Sequence, residues 1–131
     1  MYISDIDVKD KILQVCSGLK NFIPLDQMIN RRVVVVTNMK TKKLRGEKSM
    51  GMILAAEKET VKLINPPNCE IGERLYFDYT EVEPTKLKIE IWKMIQPKLR
   101  TREGKVYFED IPLQSKDGQF ATVDLDNAEV K

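Results

Sequence analysis

Between Val33 and Ala56 the chain reads VVVVTNMKTKKLRGEKSMGMILAA: a β-branched run, a stretch carrying Lys40, Lys42, Lys43, Arg45 and Lys48, and a second apolar run. A loop of this kind holds cations at the mouth of a barrel without burying them. Phosphates brought beside those side chains would release their counterions, the main source of sequence-tolerant nucleic-acid affinity. Asn38 and Ser49 stand at the two roots of the stretch, where an amide and a hydroxyl can hydrogen-bond sugar, phosphate or base edges. Gly46 and Gly51 permit close backbone approach or unusual dihedrals. Plainer roles suit the same residue types. A lysine-rich loop also discourages edge-to-edge aggregation, Asn and Ser form turns, and Met50 and Met52 could fill gaps in a core.

Other chemistries lack their parts. The 131 residues contain no histidine and only two cysteines, Cys16 and Cys69, far apart in sequence. Zinc sites draw on several Cys and His ligands, and triad-type catalysis needs an imidazole base. No catalytic residue, metal site or cofactor is therefore expected, and both cysteines suit small semi-buried positions in a reducing compartment. The overall charge of +2 conceals a strong asymmetry. From Arg31 to Lys48 seven basic residues oppose Glu47 alone, a net +6, so the rest of the chain carries −4. Such a concentration implies a directed electrostatic face. No apolar run is long enough to span a membrane, and the amino terminus, MYISDIDVKDK, has no apolar signal core, so a cytoplasmic address is the default.

The elements that must position the basic stretch are mostly short strands, in a length that suits one compact unit with an attached subdomain. Ile3 to Val8 alternates, Ile12 to Cys16 is apolar, and Asp10-Lys11 lies near the turn of the hairpin they imply. Ser17-Gly18-Leu19 breaks the pattern, and Pro24 to Met28 reads as a single helical turn. Arg31 to Thr37 has the apolar-on-both-faces character of a central strand. Met50 to Ala56 and Val61 to Ile64 follow as strands, Asn65-Pro66-Pro67-Asn68 stops the chain, and Arg74 to Phe77 is another strand after a turn at Gly72. Close turns between short strands favour a small barrel or sandwich.

The pattern then changes. Leu87, Ile91, Ile95 and Leu99 recur every four positions with Trp92 beside them, which predicts a helix from about Leu87 to about Leu99 with one buried stripe. Pro97 falls near its end. Lys105 to Phe108 and Gln119 to Val123 are expected strands around a turn at Lys116-Asp117-Gly118, and the tail after Asp124 is expected to fray.

Five segments, SGLKNFIPLDQM, VVVVTNMK, LRGEKSMGMILAA, INPPNCEIGERL and IWKMIQPKLRT, together resemble the tRNA-binding domain of the endothelial monocyte-activating polypeptide II family. The likeness covers nearly the whole chain. Its most specific element is the arginine-glycine to serine-x-glycine-methionine signature, present as Arg45 to Met52. The resemblance implies a mainly β, OB-fold barrel over residues 1–83, with a helix-plus-strands extension over 84–131 packed on it. It also implies a noncatalytic module that grips tRNA through backbone and shape, assisting an aminoacyl-tRNA synthetase in the manner of a methionyl-tRNA synthetase beta subunit. Asn38, Lys40, Arg45, Lys48, Ser49 and Met52 match motif positions and are expected in the RNA site; Lys42 and Lys43 are added on charge. Whether Arg31 and Arg32 share that face is open. The alternative is a protein-interaction scaffold of a synthetase complex with little RNA affinity.

Two departures accompany the likeness. Family members begin with a further strand, and a histidine-proline-aspartate loop, ahead of the segment matching Tyr2 to Val8. The first OB strand is thus expected to be missing or supplied elsewhere, with a second copy of the chain or a rearranged segment covering the seam. Thr41 stands where proline is usual, which implies a less rigid loop.

Overall fold

The Val33 to Val36 run threads between two apolar cores, and this explains why both of its faces are apolar. In the computed structural model, which describes residues 1–77 and 86–131, Val33 and Val35 pack against one cluster built on Leu13, Val15, Ile23, Ile53, Ala55 and Leu63. Val34 and Val36 belong to the other, with Leu54, Ala56, Ile64, Leu99, Val106 and Val130. Side chains alternate across a strand, so neighbouring residues serve opposite cores. The first cluster fills a barrel. The second lies between the barrel wall and the C-terminal residues.

The barrel starts with an antiparallel hairpin of β1 (Tyr2–Asp7) and β2 (Ile12–Ser17), with Tyr2 opposite Ser17 and Asp7 opposite Ile12. The Val8 N–H donates to the Lys11 carbonyl at 3.1 Å to close its turn. The single turn α1 (Leu25–Met28) follows Pro24 as expected. Then come β3 (Val35–Val36), β4 (Lys42–Leu44), β5 (Glu47–Ser49), β6 (Met52–Ile53), β7 (Ala55–Glu57) and β8 (Val61–Leu63). β3 pairs with β6, β4 with β5, and β7 with β8. The strand expected over Met50 to Ala56 is interrupted at Leu54, whose N–H donates at 2.9 Å to the Val34 carbonyl. Tyr76 forms a bridge to Gln114 in the C-terminal part; among the described residues only this bridge marks the strand expected over Arg74 to Phe77.

The C-terminal part contains α2 (Ile89–Ile95), β9 (Leu99–Arg102), β10 (Lys105–Phe108), β11 (Ile111–Pro112) and β12 (Glu129–Val130). The helix is shorter than expected. Gln96–Lys98 tighten into a 3-10 turn containing Pro97, and Leu99 begins a strand. Proline has no N–H to continue the α-helical ladder. The buried stripe is also narrower: Trp92 and Ile95 pack on the second core, whereas Ile91 is 45% exposed. Gln119 to Val123 forms isolated bridges at Phe120 and Thr122 instead of a continuous strand.

The tail contradicts the expectation of fraying. β12 lies between β9 and β7 in a six-stranded sheet ordered β11-β10-β9-β12-β7-β8. Ala128 and Val130 are buried in the second core, while the Lys131 and Ala55 backbones exchange two hydrogen bonds of 2.9 Å. Apolar burial and bonds to strands on both sides give this segment the anchoring that a free tail lacks. The architecture is an OB-type barrel with a helix-plus-strands extension, mainly β throughout. The boundary expected at 83/84 lies outside the described residues.

Candidate nucleic-acid interface

The basic stretch folds into a hairpin of its own. β4 and β5 pair Lys42 with Ser49, Lys43 with Lys48 and Leu44 with Glu47. Arg45 and Gly46 form the two-residue connection, at φ 52° and 82°. Two successive positive φ values are the signature of the type I′ turn, whose twist matches that of the flanking strands. Glycine meets this requirement freely, and Arg45 adopts it at a steric cost.

Strand alternation then sorts the side chains. Lys43 and Lys48 share one face, and Lys42, Leu44, Glu47 and Ser49 share the other. Lys40, Lys42, Lys43, Arg45 and Lys48 are all exposed, and none forms a salt bridge among the described residues. Five cations close together without carboxylate partners create a positive field available to an external anion.

Ser49 lies at the root of β5, against β2. It is buried. Its Oγ accepts the Cys16 N–H at 3.0 Å and donates to the Gly51 carbonyl at 3.1 Å. Nearby, Gln14 Nε2 donates to the Lys48 carbonyl at 2.9 Å, and the Met50 N–H donates to the Gln14 carbonyl at 2.8 Å. Ser49 therefore fastens the hairpin root to β2, and its hydroxyl is directed inward. Gly51 is tightly enclosed beside it: a Cβ there would meet the Val36 carbonyl oxygen at 2.8 Å.

Two expected residues remain, Asn38 and Met52, together with the two arginines whose face is open. Asn38 is half-buried, and its carbonyl accepts the Leu87 N–H at 2.6 Å. Met52 is half-buried and packs against the second core. Arg31 and Arg32 lie apart from the hairpin: Arg31 donates to Asn65 Oδ1 at 2.5 Å and Arg32 to the Cys69 carbonyl at 2.6 Å. They brace the Asn65 to Cys69 segment.

Behind the hairpin opens a groove of about 960 Å³. Lys40, Lys42, Leu44 and Ser49 line one side, and residues 86–90 another. Sequence reasoning missed Lys86 and Lys88, which join Lys40 and Lys42 here. Their only sequence signal is the alternation Lys86-Leu87-Lys88, which becomes informative once the Met39–Leu87 bridge places it beside the hairpin.

Residues 1–74 match the family model described as "Putative tRNA binding domain". The chain is 42% identical to aminoacyl tRNA synthase complex-interacting multifunctional protein 1 of Cricetulus griseus, over 77% of this chain and 30% of that protein. It is 34% identical to the cytoplasmic methionine–tRNA ligase of Arabidopsis thaliana, over 100% of this chain and 18% of that protein. The chain thus spans less than a third of either relative. In structure it is similar to the C-terminal domain of Plasmodium vivax p43, with TM-score 0.83 and 28% identity, covering 99% of this chain and 84% of that one.

Proposed function

The chain belongs to the tRNA-binding domain family, and on that premise we propose that it is a noncatalytic module that holds tRNA for an aminoacyl-tRNA synthetase. The observation carrying this reading is the β4–β5 hairpin with Lys40 just ahead of it, where five exposed cations lack carboxylate partners among the described residues. Lys40, Lys42, Lys43, Arg45 and Lys48 contact the tRNA backbone. Ser49 and Asn38 position the hairpin, and Met52 supports the wall beneath it. Recognition through phosphates and shape discriminates little between base sequences.

In this reading residues 1–83 are the binding barrel and 84–131 an extension docked against its wall. The synthetase partner is of the methionyl type, served in the manner of a beta subunit, and the site of action is the cytoplasm. A second copy of the chain pairs along β1, which has a strand neighbour on one side only among the described residues. Sedimentation in solution tests that pairing, and a stable monomer overturns it.

A protein-scaffold role is the second reading. It is favoured by α2, where Ile91 and Met94 are 45% and 68% exposed, an apolar face of the kind that meets another protein. Gel retention of tRNA at low salt separates the two readings. The parent chain retains tRNA and a hairpin-neutralised variant loses it if the first holds; equal behaviour of the two folded proteins favours the scaffold.

A further inference from the structure

We propose that the groove behind the β4–β5 hairpin seats an unpaired segment of RNA, with bases against its apolar floor and phosphates along its lysine rim. This inference rests on the RNA-binding reading above. It adds a second, chemically different surface to the same region.

The two faces of the hairpin present different chemistry. Lys43 and Lys48 lie on one face, while Lys42, Leu44 and Ser49 line the groove. A paired RNA stem offers phosphates and sugars at its surface and keeps its bases stacked inside. The outer cations suit that surface. The groove does not, because Leu19, Met39, Met52 and Leu87 give it an apolar lining that a stem has nothing to cover. Unpaired nucleotides do, since each base carries a π-face and each linkage a charge.

Phe22 supplies the feature most particular to this occupant. It lines the groove and is 56% exposed, leaving an aromatic face open for stacking. Aromatic platforms beside a cationic track are the recurrent means of holding single strands.

Charge complementarity points the same way. Lys40, Lys42, Lys86 and Lys88 line the groove without salt bridges among the described residues. Of the two lining carboxylates among the described residues, Glu57 is engaged by Lys131 at 2.6 Å, and Glu90 opposes the four lysines. An anionic amphiphile has one charged end, whereas four separated cations match a chain of repeated anions. The volume, about 960 Å³, lies near the upper end of the roughly 300–1,000 Å³ range of ligand sites.

The test measures binding of three probes at low salt: a short unstructured oligoribonucleotide, a blunt RNA duplex of the same sequence, and a tRNA. The proteins are the parent, Phe22→Ala and Phe22→Tyr, each checked by circular dichroism. Phe22→Ala is expected to weaken the single strand roughly tenfold and leave the duplex unchanged, with Phe22→Tyr restoring the parent value. If Phe22→Ala leaves the single strand unaffected, or weakens both oligonucleotides equally, the groove assignment is overturned while tRNA binding by the parent stands. If the parent binds none of the three probes, the RNA-binding reading fails and the groove assignment fails with it.

Discussion

Lys43 and Lys48 stand directly opposite each other in the β4–β5 register, two like charges on one face of a two-stranded ribbon. Like charges so placed destabilise a sheet by about 0.2–1 kcal/mol. The arrangement costs the free protein stability and presents a paired cationic site to an external anion. Lys48→Ala is therefore expected to raise the midpoint of urea unfolding slightly at low salt, with the gain fading as salt screens the repulsion. The same variant should bind tRNA more weakly. Loss of both stability and affinity would mean that Lys48 serves packing.

Replacing Lys42, Lys43 and Arg45 together with alanine is expected to weaken binding to different tRNAs by similar factors. Three lost phosphate contacts should reduce the logarithmic salt slope by about two to three units. Filter binding over a salt series measures this, with circular dichroism to verify folding. A folded triple variant with the parent slope would show that the hairpin is only a solvated edge.

Ser49→Ala should act chiefly on stability. It removes the acceptor for the buried Cys16 N–H, and an orphaned buried donor costs about 1–3 kcal/mol. Denaturant unfolding should show that loss, while the salt slope of tRNA binding stays at the parent value because no charge has changed. Parent-like stability with a marked loss of affinity would return the hydroxyl to direct RNA contact.

The C-terminal strand should behave as core. Val130 is fully buried between two strands, so Val130→Ala is expected to cost about 2 kcal/mol through lost burial and a residual cavity. In native-state hydrogen exchange, the Lys131 amide bonded to Ala55 should be protected far beyond an unstructured terminus. Rapid exchange there would show that β12 detaches.

Cys69 is expected to alkylate slowly at neutral pH. Burial raises its thiol pKa above the ordinary value, the Glu73 carboxylate adds to the rise, and Arg32 partly offsets it. A raised pKa leaves less thiolate, the reactive form, at a given pH. Labelling with iodoacetamide should therefore need more alkaline conditions than for a free cysteine, and Arg32→Ala should move the profile further upward. A profile at or below that of the free thiol would contradict this.

Local patterns in the sequence marked the first hairpin, the strand near Val61–Leu63, the turn after Pro24, the change of character near Leu87 and the position of the basic stretch. Each depends on interactions among residues close in the chain: alternation in Tyr2–Asp7, β-branching in Val33 to Val36, and the opening proline of the turn at Pro24. Residue type alone also marked Lys40, Lys42, Lys43, Arg45 and Lys48 as exposed cations.

Only the tertiary structure decided which of these residues face one another. Ser49 is turned inward because the Cys16 N–H, thirty-three positions earlier, needs an acceptor there, and no local pattern encodes that demand. Lys86 and Lys88 reach the basic region because Leu87 bridges to Met39. Glu129–Val130 is a central strand because β7 and β9 both offer it backbone partners. A two-residue strand has too little sequence to announce itself; its stability comes from neighbours distant in the chain, whose placement depends on the whole fold.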